Sequence, residues 1–248
     1  MQNLIVFAKK PILGRVKTRL AKDLGKVETL KIYTNMLELT MHLAWEWMKR
    51  SLARQVHWFW DEIKTQKKGK QGKFSAESCS FNLPALFLEH YQMPNADLGE
   101  RMALAFKEIF FWKENNNFML GSNWKEKLKE NVDRSSDLLD KKDNPLPPVG
   151  KGQGVVIIGT DCPDLNLDIL EQAFDGIYEK DIAIGPAKDG GYYLLGMRDF
   201  YPELFCSVEW STETVFQKTM KNAEDLGLYV KVLPVLRDVD TIEDLLDE

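Results

Sequence analysis

Val155-Val156-Ile157-Ile158-Gly159-Thr160-Asp161-Cys162-Pro163-Asp164 is the stretch from which the chain is best read. Four β-branched residues in succession favour an extended strand, and a run that is apolar throughout is the pattern of a strand covered on both faces. Hydrophobicity then stops at an acid, which sets Asp161 at the carboxyl end of a central strand. Downstream, the pattern predicts a helix over Leu167 to Tyr178, strands over Asp181 to Pro186 and Tyr192 to Gly196, a helix over Glu213 to Leu226 and a last strand over Tyr229 to Pro234. Upstream, Leu4 to Ala8 is a short apolar run broken by Pro11 and Gly14, as expected of a strand entering a loop. Between Val27 and Ala53, Leu30, Tyr33, Leu37, Met41, Ala44 and Met48 recur at helical spacing. Val56 to Trp60 and Ala85 to Tyr91 read as strands, and Leu98 to Trp112 as a helix. This alternation predicts an α/β fold with a mostly parallel central sheet and helices on both faces. Ligands of such sheets sit beyond the carboxyl ends of the strands.

Composition narrows the function. Hydrophobic residues make up 44% and charged residues 29% of 248, which excludes a disordered, collagen-like or disulfide-scaffold chain. The net charge of −5 argues against long-range attraction to nucleic acid or an anionic membrane, while leaving room for a local basic pocket. Cys79, Cys162 and Cys206 are odd in number and without a CxxC pair, a usage that suits a reducing cytoplasm. No apolar run approaches the ~18 residues of a membrane span. The expectation is one cytoplasmic domain over 1–248, with polar insertions near 64–80 and 113–154.

The chemistry concentrates at a few loops. Lys9-Lys10-Pro11-Ile12-Leu13-Gly14-Arg15-Val16-Lys17-Thr18-Arg19-Leu20 surrounds one glycine with cations directly after a strand. Such a loop is suited to wrapping a polyphosphate with charge-assisted and backbone hydrogen bonds, or it is a solvated basic turn. It is neither a Walker A loop nor a GxGxxG fingerprint. Asp161 suits Mg²⁺, which takes one or two protein carboxylates and completes its shell with phosphate oxygens and water. Asp164 is expected to cap the following helix, and Ser211 or Thr212 the helix after Trp210. Near the C-terminus, Asp238 and Asp240 compete as a second metal ligand, and spacing does not choose between them. Glu243 and Asp244 answer a helix dipole. The pair Gly190-Gly191 permits close backbone approach to a ligand, although a hairpin needs it equally. Asp189 beside it faces whatever lies over the sheet edge. His42, His57 and His90 lack the spacing of a metal triad and read as structural.

Five motifs together resemble one bacterial family: Phe7-Ala8-Lys9 through Leu20; Asp97-Leu98-Gly99-Glu100-Arg101-Met102; Gly159 to Pro163; Gly185-Pro186-Ala187 with Asp189-Gly190-Gly191-Tyr192-Tyr193; and Asp238-Val239-Asp240-Thr241. The family is DUF2064, also called glycosyltransferase A-like or radical-SAM/selenodomain-associated transferase 1. It lies in the nucleotide-diphospho-sugar transferase superfamily and is similar to phospholactate and molybdopterin-cofactor guanylyltransferases. The resemblance implies a GT-A-like Rossmannoid fold. By position it implies that Gly14, Arg15, Lys17 and Arg19, with Lys9 and Thr18, form a nucleotide phosphate loop. It further implies that Asp161 and Asp240 are metal carboxylates for Mg²⁺ or Mn²⁺, and that Leu98, Gly99, Glu100 and Arg101 contact nucleotide or substrate, with Gly190 and Gly191 as further contacts.

The function expected is metal-dependent nucleotidyl transfer from a nucleoside triphosphate to a small phosphorylated acceptor, with Lys17, Arg19 and Asp161 catalytic. The alternative is glycosyl transfer from a nucleoside diphosphate sugar, with Asp189 as base for an acceptor hydroxyl. A non-catalytic nucleotide-binding protein is the third reading.

Overall fold

The computed structural model describes residues 1–61, 81–94, 96–111 and 154–246. The expected insertions near 64–80 and 113–154, together with Cys79, lie outside the described residues, apart from Gly154, which opens a strand. Seven strands form one sheet: β1 (Gln2–Ala8), β2 (Arg54–Trp60), β3 (Leu88–Tyr91), β4 (Gly154–Ile158), β5 (Ile182–Pro186), β6 (Tyr192–Met197) and β7 (Val230–Val232). Their order is β3-β2-β1-β4-β6-β5-β7. Among the described residues only β6 runs antiparallel, pairing with β4 and β5, so the expected mostly parallel sheet is the one observed.

Among the described residues five α-helices accompany the sheet: α1 (Leu20–Lys49), α2 (Leu98–Phe111), α3 (Leu167–Glu179), α4 (Val215–Asp225) and the short α5 (Glu243–Leu246). Apolar stripes decide which face each covers. Leu30, Leu37 and Trp47 of α1 share a core with Leu170 and Phe174 of α3, and the Trp47 and Phe174 rings stack at 4.7 Å. Met102, Phe106 and Ile109 of α2 and Ala223 of α4 occupy a second core beneath the other face. Burying each large apolar side chain contributes about 2 kcal/mol, so the two layers clamp the sheet between them. β4 is buried along its whole length, as its unbroken apolar run predicts. Arg54 ties the sheet to α3, meeting the Glu171 carboxylate through two nitrogens at 2.9 and 2.7 Å while stacking 4.8 Å over Trp47.

The structure corrects several local expectations. α1 begins at Leu20, earlier than its apolar periodicity indicates, and is broken at Gly25. The helix after β4 is capped by the Asn166 side chain, which accepts from the Ile169 N–H at 3.1 Å, and not by Asp164. Thr214 holds the N-cap position of α4 without a capping bond from its side chain, which meets the Thr212 hydroxyl instead, and the Thr212 hydroxyl donates to the Glu209 carbonyl. His57 and His90 do not stand apart. Parallel pairing of β2 with β3 sets them side by side, Nδ1 to Nε2 at 3.1 Å, between Asn3 Oδ1 at 3.2 Å and Glu108 Oε1 at 2.8 Å. This polar chain, buried at its two histidines, links β1, β2, β3 and α2, and their contact is what spacing in sequence does not reveal. Among the described residues no helix is long and apolar enough to cross a membrane.

Candidate active site

Moving out from β1, the sheet extends through β2 on one side and through β4 on the other, and this reversal opens a crevice beyond the carboxyl ends of β1 and β4. The loop after β1 and the acid after β4 are delivered to the same place. Val16 and Leu20 anchor the loop in the core, both nearly inaccessible, and Lys17 between them adopts φ 45°. A non-glycine residue at positive φ costs about 1 kcal/mol or more, and persists only where its surroundings hold it.

What holds Lys17 is a pair of acids. Its Nζ lies 2.9 Å from Asp161 Oδ1 and 2.6 Å from Asp240 Oδ1. The lysine side chain is 5% exposed, whereas those of Asp161 and Asp240 are 49% and 40% exposed, so the acids face solvent and the ammonium lies behind them. Burial alone lowers the pKa of the lysine, but the two carboxylates outweigh it and leave the pKa raised. Asp161 and Asp240 therefore meet, as the sequence reading requires.

Backbone bonds explain the meeting. The Val239 N–H donates to the Asp161 carbonyl at 2.9 Å, which lays the C-terminal segment beside the end of β4. Val239 is buried, and the next turn is fixed by the Asp244 carboxylate, which accepts from the Asp240 and Thr241 N–H groups at 2.8 and 2.6 Å. This is the reciprocal half of a capping box opening α5. Asp244 is thus structural, as expected. Asp240, not Asp238, is the residue opposite Asp161.

The cleft above the acids is about 250 Å³ and is lined by Lys9, Arg15, Lys17, Thr18, Arg19, Tyr33, Asp161 and Asp240. Lys9, Arg15 and Arg19 are exposed around its rim, Arg19 Nη1 lying 3.8 Å from Asp240 Oδ2. Four cations against two acids make the cleft attractive to a polyanion. Tyr33 is the lining residue that sequence reasoning missed. Its spacing places it on an apolar helix face, yet its hydroxyl accepts from the Lys9 N–H and donates to the Lys9 carbonyl, both at 2.9 Å, bracing the loop. Asp61, at the end of β2, secures the same loop by accepting from the Lys10 N–H at 2.9 Å.

Other expected site residues lie elsewhere on this edge of the sheet. Leu98, Gly99, Glu100 and Arg101 open α2 and do not line the cleft. The Glu100 N–H bonds to Asp97 Oδ1, and Arg101 Nη1 donates to Gln92 Oε1 at 2.8 Å. Gly99 makes room for the Trp210 ring, which a Cβ there would meet at 2.2 Å. Gly190 turns the β5–β6 hairpin at φ 88°, against the Glu213 carbonyl, and Gly191 donates its N–H to Asp189 Oδ1 at 2.8 Å. Asp189 in turn neighbours Asp238, whose carboxyl is pushed up to about 6 by burial first and then by the Asp189 charge. Cys162 is buried, and burial pushes its thiol up to about 12, away from the thiolate form.

Two half-exposed carboxylates converging on one point supply the hard oxygen donors that Mg²⁺ or Mn²⁺ takes. Among the described residues no group of three or more His, Cys, Asp or Glu is placed to hold a metal ion. The two carboxylates fit a divalent ion that shares its shell with water and phosphate oxygens.

Comparison with known proteins agrees with this architecture. Residues 125–212 match the family model of an uncharacterized protein conserved in bacteria, DUF2064, so the resemblance read from the motifs is borne out. No curated protein matches significantly. The fold is similar to a protein from Desulfovibrio desulfuricans G20 provisionally named a nucleotide-diphospho-sugar transferase, at 24% identity and a TM-score of 0.65, covering 98% of this chain and 84% of that one. Weaker likeness extends to the inositol-1-phosphate CTP transferase of T. maritima, at 14% identity and a TM-score of 0.45 over 98% of this chain and 91% of that one. A CMP:2-keto-3-deoxy-manno-octonic acid synthetase complexed with CTP is similar at 10% identity and a TM-score of 0.45, over 98% and 95% of the respective chains. The fold is accordingly the expected GT-A-like Rossmannoid arrangement.

Proposed function

We propose that the protein is a metal-dependent nucleotidyltransferase that uses a nucleoside triphosphate and a small phosphorylated acceptor. The observation that carries this reading is the convergence of Asp161 and Asp240 beside a loop rich in cations, at the crevice where α/β sheets bind ligands. Lys9, Arg15 and Arg19 bind the triphosphate from the rim by charge-assisted hydrogen bonds. Asp161 and Asp240 hold Mg²⁺ or Mn²⁺. When bound, that ion supplies positive charge to the phosphate oxygens of the nucleotide. An acceptor phosphate oxygen attacks the α-phosphorus, the bond to the β-phosphate oxygen breaks, and pyrophosphate leaves. Arg19 and Lys17 neutralise the charge that gathers on the leaving group. An ionised phosphate needs no base, and among the described residues no histidine lines the cleft.

Glycosyl transfer from a nucleoside diphosphate sugar is the second reading. It is favoured by Asp189, an acid beside Asp238 at the same sheet edge, which serves an acceptor hydroxyl as its base. Incubation of the full chain with Mg²⁺, each triphosphate or sugar nucleotide, and panels of phosphorylated and hydroxyl acceptors separates the two. Acceptor-dependent pyrophosphate release supports nucleotidyl transfer, and diphosphate release supports glycosyl transfer. Nucleotide binding with neither product leaves a binding protein and refutes both.

A further inference from the structure

We infer that Lys17 is a built-in counter-ion that leaves the Asp161–Asp240 pair when a divalent ion enters, and that this exchange makes metal and polyphosphate binding cooperative. The inference rests on the reading of this cleft as a metal-assisted phosphate site and goes beyond it by assigning an order and a cause to binding.

The geometry carries it. One ammonium bridges both Oδ1 atoms at 2.9 and 2.6 Å and occupies the point on which the two carboxylates converge. A dication drawn to that point meets a like charge a few ångströms away; the acids are 49% and 40% exposed but the lysine side chain only 5%, so solvent screens the repulsion in part. Metal and ammonium therefore exclude one another there. For the lysine to leave, it needs somewhere to go. Its side chain lines the same cleft as Lys9, Arg15 and Arg19, so a polyphosphate drawn in by those cations offers it a new counter-charge.

Metal alone must evict the ammonium into a cleft that holds no anion, and binds weakly. Metal with polyphosphate transfers the ammonium from carboxylate to phosphate, and binds tightly. Linkage requires the reciprocal effect, in which metal strengthens polyphosphate binding by the same factor.

The test is Mn²⁺ titration of the full chain followed by water-proton relaxation, which separates protein-bound Mn²⁺ from Mn²⁺ held by free phosphate. Wild type, Lys17→Met and Lys17→Gln are compared with and without inorganic tripolyphosphate. Without phosphate, the uncharged variants are expected to bind Mn²⁺ at least tenfold more tightly than wild type. Tripolyphosphate is expected to raise the wild-type affinity at least tenfold and that of the variants by less. Should Lys17→Met fail to fold, as circular dichroism reveals, Lys17→Gln keeps a hydrogen-bond donor for the acids without the charge and carries the comparison. Equal Mn²⁺ affinity of wild type and variants in the absence of phosphate overturns the exchange while leaving the metal site standing; so does a wild-type affinity that tripolyphosphate leaves unchanged. Mn²⁺ bound by no form of the protein, with or without tripolyphosphate, removes the metal centre itself.

Discussion

Lys17 reaches Asp240 across 223 positions of sequence, with 2.6 Å between its ammonium and the carboxylate. This contact, matched by the one to Asp161, closes the cleft by joining the first loop of the chain to its last.

Removing either acid leaves the buried ammonium with one anionic partner. Asp161→Asn and Asp240→Asn are each expected to lower stability by about 1–2 kcal/mol, a figure reduced from that of a fully buried pair because both acids are half exposed. Urea denaturation measures this. In a Lys17→Met background the same substitutions cost less, because the ammonium they leave unpaired is gone. The raised lysine pKa sets the pH window. The pairing contributes fully below the ordinary lysine value of 10.5 and is lost only as pH climbs past the raised one.

Tyr33→Phe deletes the hydroxyl that both accepts from and donates to the Lys9 backbone. Leaving these groups unpaired costs about 1–2 kcal/mol. The loop it braces carries the rim cations, so nucleotide KM is expected to rise several-fold with a smaller change in kcat. Steady-state kinetics separate the two.

Gly190→Ala places a Cβ 2.1 Å from the Glu213 carbonyl oxygen at a residue with φ 88°. Both the contact and the backbone forbid it, and neither neighbour is a flexible side-chain end. A loss of about 3 kcal/mol or more is expected, read as a fall in thermal midpoint. Gly191→Ala, whose Cβ meets the Asp189 carboxylate at 3.1 Å, serves as the milder control.

His57 is buried, and burial first, then the charge of His90, depress its pKa to about 3. Unfolded, it titrates near 6.5. Between these values the unfolded chain holds a proton that the folded one does not, so stability is lost as pH falls below 6.5. The slope from this group is at most about 1.4 kcal/mol per pH unit. Urea denaturation from pH 7.5 to 4.5 is expected to flatten by about that amount in His57→Gln.

Much of the architecture was legible in the amino-acid pattern, for reasons visible at particular residues. Val155 to Ile158 are apolar on both faces because helices cover both faces, and the abrupt change to Asp161 marks where the strand leaves the core. Lys9 to Leu20 declared itself by charge density after a short strand. What sequence concealed depends on pairing in three dimensions. Choosing Asp240 over Asp238 follows from the Val239 N–H bond to the Asp161 carbonyl, and no local pattern encodes that bond. Tyr33 was hidden because one hydroxyl on an apolar helix face looks the same whether it meets solvent or a backbone loop. His57 and His90 became neighbours only when β2 and β3 paired in register. The caps were misjudged for a different reason: Asp164, Asn166, Thr212 and Thr214 are all competent residue types, and the choice falls to where the backbone turns.

The most direct test of the central claim is anomalous scattering from Mn²⁺ in crystals of the full chain grown with a nucleoside triphosphate. The account predicts one ion in direct contact with the Asp161 and Asp240 carboxylates and with triphosphate oxygens, beside Lys9, Arg15 and Arg19. A triphosphate lying along the N-terminal loop with Mn²⁺ absent from that pair, or bound at other residues, would contradict it.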